Sequence, residues 1–206
     1  LYDTLYEGPV DDSAGIGKWG LMGAGAHGWT GNDGPAAFSA WTLEHLGWIG
    51  RDNERLTEVS EDINGVLLED LHAGGEVLKI PLLVKGGRSL VSPTTQEYLL
   101  LEQRTRNGSY YNRGIPGEGL LVWHVNPASG TNQDELGKKV DLVCADGLYQ
   151  DAGYPEGRLA DSANGWDNLD FWAHRASYRE DHVGNQGDAT DPFDGVRFTR
   201  LNTDSN

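Results

Sequence analysis

Apolar and polar positions change period partway along the chain. In the run Ala36-Ala37-Phe38-Ser39-Ala40-Trp41-Thr42-Leu43-Glu44-His45-Leu46, Phe38, Trp41 and His45 share one stripe and Ala36, Ala40 and Leu43 another. That spacing predicts a helix. Pro35 suits its first position, where a missing N–H costs nothing, and Gly47 suits its C-terminal cap. The run is apolar nearly all round, so the helix is expected to be buried, with Trp41 and Trp48 in the core. From residue 56 the pattern alternates. Leu56–Ile63, Val66–Leu71, Val77–Val84, Glu97–Gln103, Gly119–Asn126 and Val140–Ala145 read as strands. Asn64-Gly65, Gly74-Gly75 and Gly86-Gly87 sit between them as turns. Tyr98–Glu102 and Leu120–Trp123 are apolar on both faces, which predicts two central strands, joined by a long connection from Arg104 to Glu118. The fold class is therefore α+β.

Ahead of the helix the chain is glycine-rich. Residues 1–19 are acidic and loop-like, with Asp3, Glu7, Asp11 and Asp12 among Gly and Pro. Asp3 and its neighbours are read either as the rim of a cleft, with calcium on Asp3 or Asp11, or as a solvated loop. The chain's single methionine follows, in Gly20-Leu21-Met22-Gly23-Ala24-Gly25. Glycine there permits left-handed or closely approaching backbone, and a polarizable thioether in a tight turn can form a soft floor under something bound. His27 could be a ligand or a substrate contact, but flanked by glycine in a loop it reads rather as a surface or hydrogen-bonded residue.

Composition narrows the classes. A chain of 206 residues is long enough for a real core, burying roughly 70% of its unfolded surface. Its 32 acidic against 16 basic residues give a net charge of −16, which disfavours nucleic-acid binding, since phosphate contacts need clustered Lys and Arg. Such acidity fits solubility, a saline habitat or calcium held by carboxylates. Cys144, in an apolar run, is expected to be a buried free thiol. No apolar run is long enough to span a membrane.

Several blocks together resemble one family. Leu1-Tyr2-Asp3-Thr4, the Gly20-Leu21-Met22-Gly23 turn, and Tyr98-Leu99-Leu100-Leu101-Glu102-Gln103-Arg104 come first. Gly119-Leu120-Leu121-Val122-Trp123-His124-Val125-Asn126, Ala145-Asp146-Gly147 and Gly187-Asp188-Ala189-Thr190-Asp191-Pro192-Phe193 follow in order. This series is similar to the secreted zinc metallopeptidases of the immune inhibitor A family. Asn126 stands where that family commonly has an acidic residue. In the family, H-E-x-x-H-x-x-G-L-P-D runs directly into a Tyr-Asp pair, with a Met turn after it as in metzincins. The resemblance implies a chain that begins just after the zinc-binding motif. It implies a metzincin-like C-terminal subdomain (the Met turn and one buried helix, residues 1–50), a mainly antiparallel β region over 51–198, and a linker start at 199–206. It also implies a secreted endopeptidase that cleaves protein or peptide substrates with a zinc-activated water. No H-E-x-x-H occurs in the 206 residues, so zinc ligands are expected upstream and the chain alone is expected to be inactive. Met22 would lie under the metal as a structural floor. Asp3, Glu102 and His124 would brace the cleft.

Glu102 and His124 also stand out from the residues alone, as polar side chains in apolar strands. They read either as lining or bracing the cleft or as a buried hydrogen-bonded pair, and are expected to be supports rather than zinc ligands. The loops after residue 146 are rich in Asp, Asn and Gly. Asp188, Asp191 and Asp194, with Asp161 and Asp167, are calcium candidates, because calcium takes six to eight oxygen ligands from such loops. The spacing around Asp161 and Asp167 is not that of an EF-hand, and an Asx-turn surface loop is the other reading of the Asp188 stretch. A different function also fits: a non-catalytic, calcium-stabilised β module binding glycan or protein through aromatic side chains such as Trp29, Trp166 and Trp172.

Overall fold

The two doubly apolar runs pair with each other. In the computed structural model, which describes residues 15–28, 33–82, 97–132, 138–145 and 187–201, β3 (Tyr98–Arg104) and β4 (Gly119–Val125) form an antiparallel ladder seven residues long, from Tyr98 opposite Val125 to Arg104 opposite Gly119. β2 (Val77–Pro81) joins the free side of β3 antiparallel, and β1 (Leu56–Glu58) joins β2 in parallel. β5 (Val140–Leu142) closes the other side, antiparallel to β4. The described residues thus form an α+β fold with a mixed sheet in the order β1-β2-β3-β4-β5 and one helix, α1 (Ala40–Leu46).

Alternation assigns the faces. Leu100, Trp123 and Leu142 stand side by side across three strands. They join Val77, Leu121, Val125 and Val140 in the buried core, which Ile16, Trp19, Ala40, Ile49 and Leu71 complete. Residues on both sides of position 50 therefore feed one core. Cys144 is a buried free thiol in the same cluster, as expected.

α1 starts later than the Pro35 signal predicts. The Ala36 N–H donates to Gly25 O and the Leu21 N–H to Ala37 O, both at 2.9 Å. These bonds hold residues 36 and 37 extended against the glycine-rich turn. Ser39 is the N-cap instead, its hydroxyl accepting the Thr42 N–H at 3.4 Å. Gly47 ends the helix in the left-handed region (φ 73°), where the Trp48 N–H reaches Leu43 O and the Gly47 N–H reaches Glu44 O, the Schellman pattern. Nor is the helix buried all round. Ala40 and Thr42 face inward, whereas Leu46 is exposed. Trp41 is only half-buried and stacks on His45 at 5.2 Å, and Trp48 is 58% exposed against the edge of Phe38. The expectation that Trp48 is core is corrected, whereas Trp41 packs against the core cluster with part of its ring exposed. A seven-residue helix packed on one sheet has one covered side, and apolar composition cannot place a residue on it. Glu44 fastens α1 to the sheet by accepting from Lys79 Nζ (2.7 Å) and Tyr98 Oη (2.8 Å).

The run 66–71 is not a strand. It lies without a ladder, with Leu67 exposed, until Asp70 bridges Gln103 and its side chain caps the 3₁₀ turn Leu71–Ala73. β1 and β5 are each three residues long, shorter than their apolar runs. No helix among the described residues is long and apolar enough to cross a membrane.

Candidate functional site

Met22 lies in a turn closed by the Gly23 N–H donating to Gly20 O at 2.9 Å. Gly23 and Gly25 are required for space, and neither Gly20 nor Gly23 for handedness. Gly20 (φ −154°) and Gly23 (φ −121°) are both extended. A Cβ on Gly23 would stand 2.6 Å from Ile16 Cγ1 and 2.7 Å from Gly17 O. One on Gly25 would stand 2.6 Å from both Ala36 Cβ and Gly20 O. The backbone folds over Ile16 so closely that only hydrogen fits. Met22, at the turn, is left 50% exposed. Replacing Gly25 by Ala is expected to lower stability by about 1–3 kcal/mol through overpacking against backbone that cannot move away, read as the urea midpoint of unfolding.

Beneath this turn the inner face of β3 carries charge where an apolar strand is expected. Glu102 and Arg104 are adjacent on that face and both are fully buried. Arg104 grips Glu102 with two nitrogens, Nε to Oε2 and Nη2 to Oε1, each at 3.2 Å. Trp123 Nε1 donates to Glu102 Oε1 at 2.7 Å. The guanidinium also donates through Nη2 to Phe38 O at 2.8 Å and, at 3.4 Å, to Trp19 O, and through Nη1 to Asn112 Oδ1 at 3.4 Å. A buried ion pair persists only where such extra hydrogen bonds offset desolvation, and here they reach Trp19, which enters the Met22 turn, and Phe38, next to the Ala37 carbonyl that Leu21 bonds. Nearby, burial and then the Arg104 charge push the His72 imidazole down to about 3, so it is neutral.

Glu102 is therefore enclosed among the described residues, and it does not pair with His124. Glu102 stands opposite Leu121 and His124 opposite Leu99, which places them on opposite faces of the sheet. His124 Nε2 lies 2.7 Å from Glu97 Oε2 on the outer face, across from Asp141 of β5. Arg104 is the buried charge that the sequence pattern did not single out. Its signal was a charge two residues from Glu102 in an otherwise apolar strand, which requires a buried partner.

The acidic stretch near the C-terminus is turned inward. The fully buried Asp191 accepts from Trp19 Nε1 at 2.6 Å and from the Asp188 N–H at 2.9 Å, both through Oδ2, while its Oδ1 has no hydrogen-bond partner. Burial, then the neighbouring Asp188 charge, push its carboxyl up to about 8. The strap is held by paired bonds between Leu120 and Phe193 and by the Ala145 N–H donating to Asp191 O. Asp188 accepts from the Thr190 N–H and hydroxyl. Asp194 accepts from the N–H groups of residues 196, 197 and 198 and pairs with Arg197 Nε at 2.7 Å, which holds its carboxyl well below the usual carboxylate range. The three carboxylates are each committed to the chain's own donors. Among the described residues no group of three His, Cys, Asp or Glu could hold a metal ion. Asp3, Asp11, Asp161 and Asp167, with Trp29, Trp166 and Trp172, lie outside the described residues.

Surface hollows lie at the β1 edge. One of about 540 Å³ is lined by Glu58–Ile63, Ile80 and Pro81, and another of about 380 Å³ by Glu54, Arg55, Leu67, Glu69 and Gly74–Glu76. Neither includes Met22, Glu102 or His124.

No family model, no curated protein and no solved structure matches this chain.

Proposed function

We propose that this chain is the C-terminal portion of the catalytic domain of a secreted zinc metallopeptidase of the immune inhibitor A type, with Met22 in a metzincin-like turn. One observation carries the reading. The lone methionine is half-exposed in a turn so tight that a Cβ on Gly23 or Gly25 would meet backbone oxygen. A methionine kept for hydrophobic filling would be covered. One presented outward on a fixed turn suits the floor of a pocket whose walls come from other residues. The described residues do not fit zinc by themselves, so no step through the metal is assigned to them. In this reading the chain supplies the Met22 floor and the buried Glu102–Arg104 support behind it, and protein or peptide substrates are cut by the domain it completes. The committed geometry of Asp188, Asp191 and Asp194 lends no support to calcium at that stretch.

The coding sequence upstream of Leu1 is the direct test. The reading expects an in-frame H-E-x-x-H-x-x-G-L-P-D, about one bound zinc per chain when that segment is included, and casein lysis on a zymogram only for the longer form. Lysis by the 206-residue chain alone, or an upstream region without the motif, overturns it.

A second reading has its own observation: Trp48, Tyr110 and Tyr111 are each at least half-exposed, and Arg113 lies over the Tyr110 ring at 4.6 Å. Aromatic faces presented this way suit a module that binds glycan or protein. It is favoured if the longer form holds no zinc but an immobilised glycan or protein retains the chain and Tyr110→Ala releases it.

A further inference from the structure

We propose that Arg104 is the positioning residue of the Met22 turn, a role that takes its functional meaning from the peptidase reading but not its physical basis. The connection can be traced bond by bond. Arg104 Nη2 donates to Phe38 O at 2.8 Å. The preceding residue, Ala37, accepts the Leu21 N–H at 2.9 Å, and Leu21 is the neighbour of Met22. On the entering flank the same Nη2 reaches Trp19 O, next to Gly20, at 3.4 Å. One planar group thus touches the residue that enters the turn and the segment, residues 37 and 38, to which the turn is hydrogen-bonded. It is itself locked by Glu102, whose carboxylate is fixed in turn by Trp123.

The turn's own backbone bonds, Gly23 N–H to Gly20 O and Ala36 N–H to Gly25 O, fix its shape, and Arg104 fixes where it sits against the sheet. The turn's contacts to Ile16 are side-chain packing, which can adjust by rotamer, whereas a guanidinium fork bound to a carboxylate and a carbonyl has one geometry. Lysine cannot reproduce it, because a single ammonium cannot serve the Glu102 carboxylate and Phe38 O in the same fixed plane. Arg104→Lys therefore keeps the charge and releases the turn.

Because Met22 is the only methionine, a chain labelled at the methionine methyl gives one NMR peak, which reports this turn alone. Arg104→Lys is expected to displace and broaden that peak and to change the rate at which peroxide oxidises Met22 to the sulfoxide. Leu142→Ala, a core truncation in β5, is expected to lower stability while leaving both readouts at their wild-type values. Glu102→Gln, which keeps the shape and weakens the lock on Arg104, is expected to shift the peak in the same direction by a smaller amount, and serves if the lysine variant does not fold. The proposal is overturned if Arg104→Lys or, in its place, Glu102→Gln leaves peak and oxidation rate unchanged. It is equally overturned if Leu142→Ala moves them as far. Neither readout involves zinc or peptide hydrolysis, so the loss of the peptidase reading would leave this result standing.

Discussion

Truncating Glu102 to Ala is expected to cost about 3–5 kcal/mol of stability, because it strands a buried guanidinium. Glu102 and Arg104 are both inaccessible to solvent. The carboxylate is the only counter-charge that Arg104 touches among the described residues, and it also satisfies the indole N–H of Trp123. Removal leaves that indole without an acceptor and the guanidinium with only neutral oxygens from Phe38, Trp19 and Asn112. An exposed pair such as Arg106 with Glu118, 3.6 Å apart and each nearly half-exposed, is worth about 0–1 kcal/mol by contrast. Urea unfolding of the wild type, both single Ala variants and the double variant gives the coupling. The double variant should cost clearly less than the sum of the singles, since the second truncation removes the charge the first left stranded. A cost for Glu102→Ala in the range of the exposed pair would show that water reaches Arg104 and that the network is not what holds the sheet to the turn.

The sheet was legible where alternation and apolarity agreed. β3 and β4 are apolar on both faces and sit side by side within the sheet. The run 66–71 has the same residue types, but its end is turned aside. The Asp70 carbonyl accepts the Ala73 and Gly75 N–H groups while its side chain caps the same 3₁₀ turn and accepts from Thr105, so the segment stops short of a ladder. Faces were less legible than strands. Which strand positions look inward is set by register, and only the pairing of Leu121 with Glu102 and of His124 with Leu99 separates two polar residues that sequence alone could treat as partners. The glycines around Met22 were readable as a close approach, yet what they approach, Ile16 and Ala36, is tertiary information. The acidic C-terminal stretch misleads for the same reason. Carboxylate spacing says nothing about whether Trp19, 172 residues away, will claim one of them.

That claim by Trp19 has a pH signature. The Asp191 carboxyl is raised from its ordinary value of 3.8 to about 8, by burial first and by the Asp188 charge second, with Trp19 and Asp188 hydrogen bonds and the Cys144 thiol working weakly the other way. Between those values the folded chain holds a proton that the unfolded chain has lost. Its stabilising contribution is complete below pH 4 and declines as pH rises toward 8, by up to about 1.4 kcal/mol per unit. His72 runs in the opposite sense. Its value falls from 6.5 to about 3, so the unfolded chain holds the extra proton and stability rises with pH between those limits. The two slopes offset each other from about pH 4 to 6.5, and above that Asp191 acts alone. The wild type is therefore expected to lose stability between about pH 6.5 and 8, and, because His72 is common to both, to lose it from about pH 4 to 8 relative to Asp191→Asn, which keeps an acceptor for Trp19 and cannot ionise. His72→Gln should uncover the Asp191 slope over the whole range from about pH 4 upward. Urea midpoints at about pH 4.5, 6.5 and 8 for the three proteins decide it. Parallel profiles for the wild type and Asp191→Asn would mean that Asp191 is ionised in the folded chain and that its unpaired oxygen is reached by water. If the profiles diverge as expected, the segment from Gly187 to Phe193 is fastened to Trp19, one residue from the Met22 turn, by a carboxylic acid that must keep its proton.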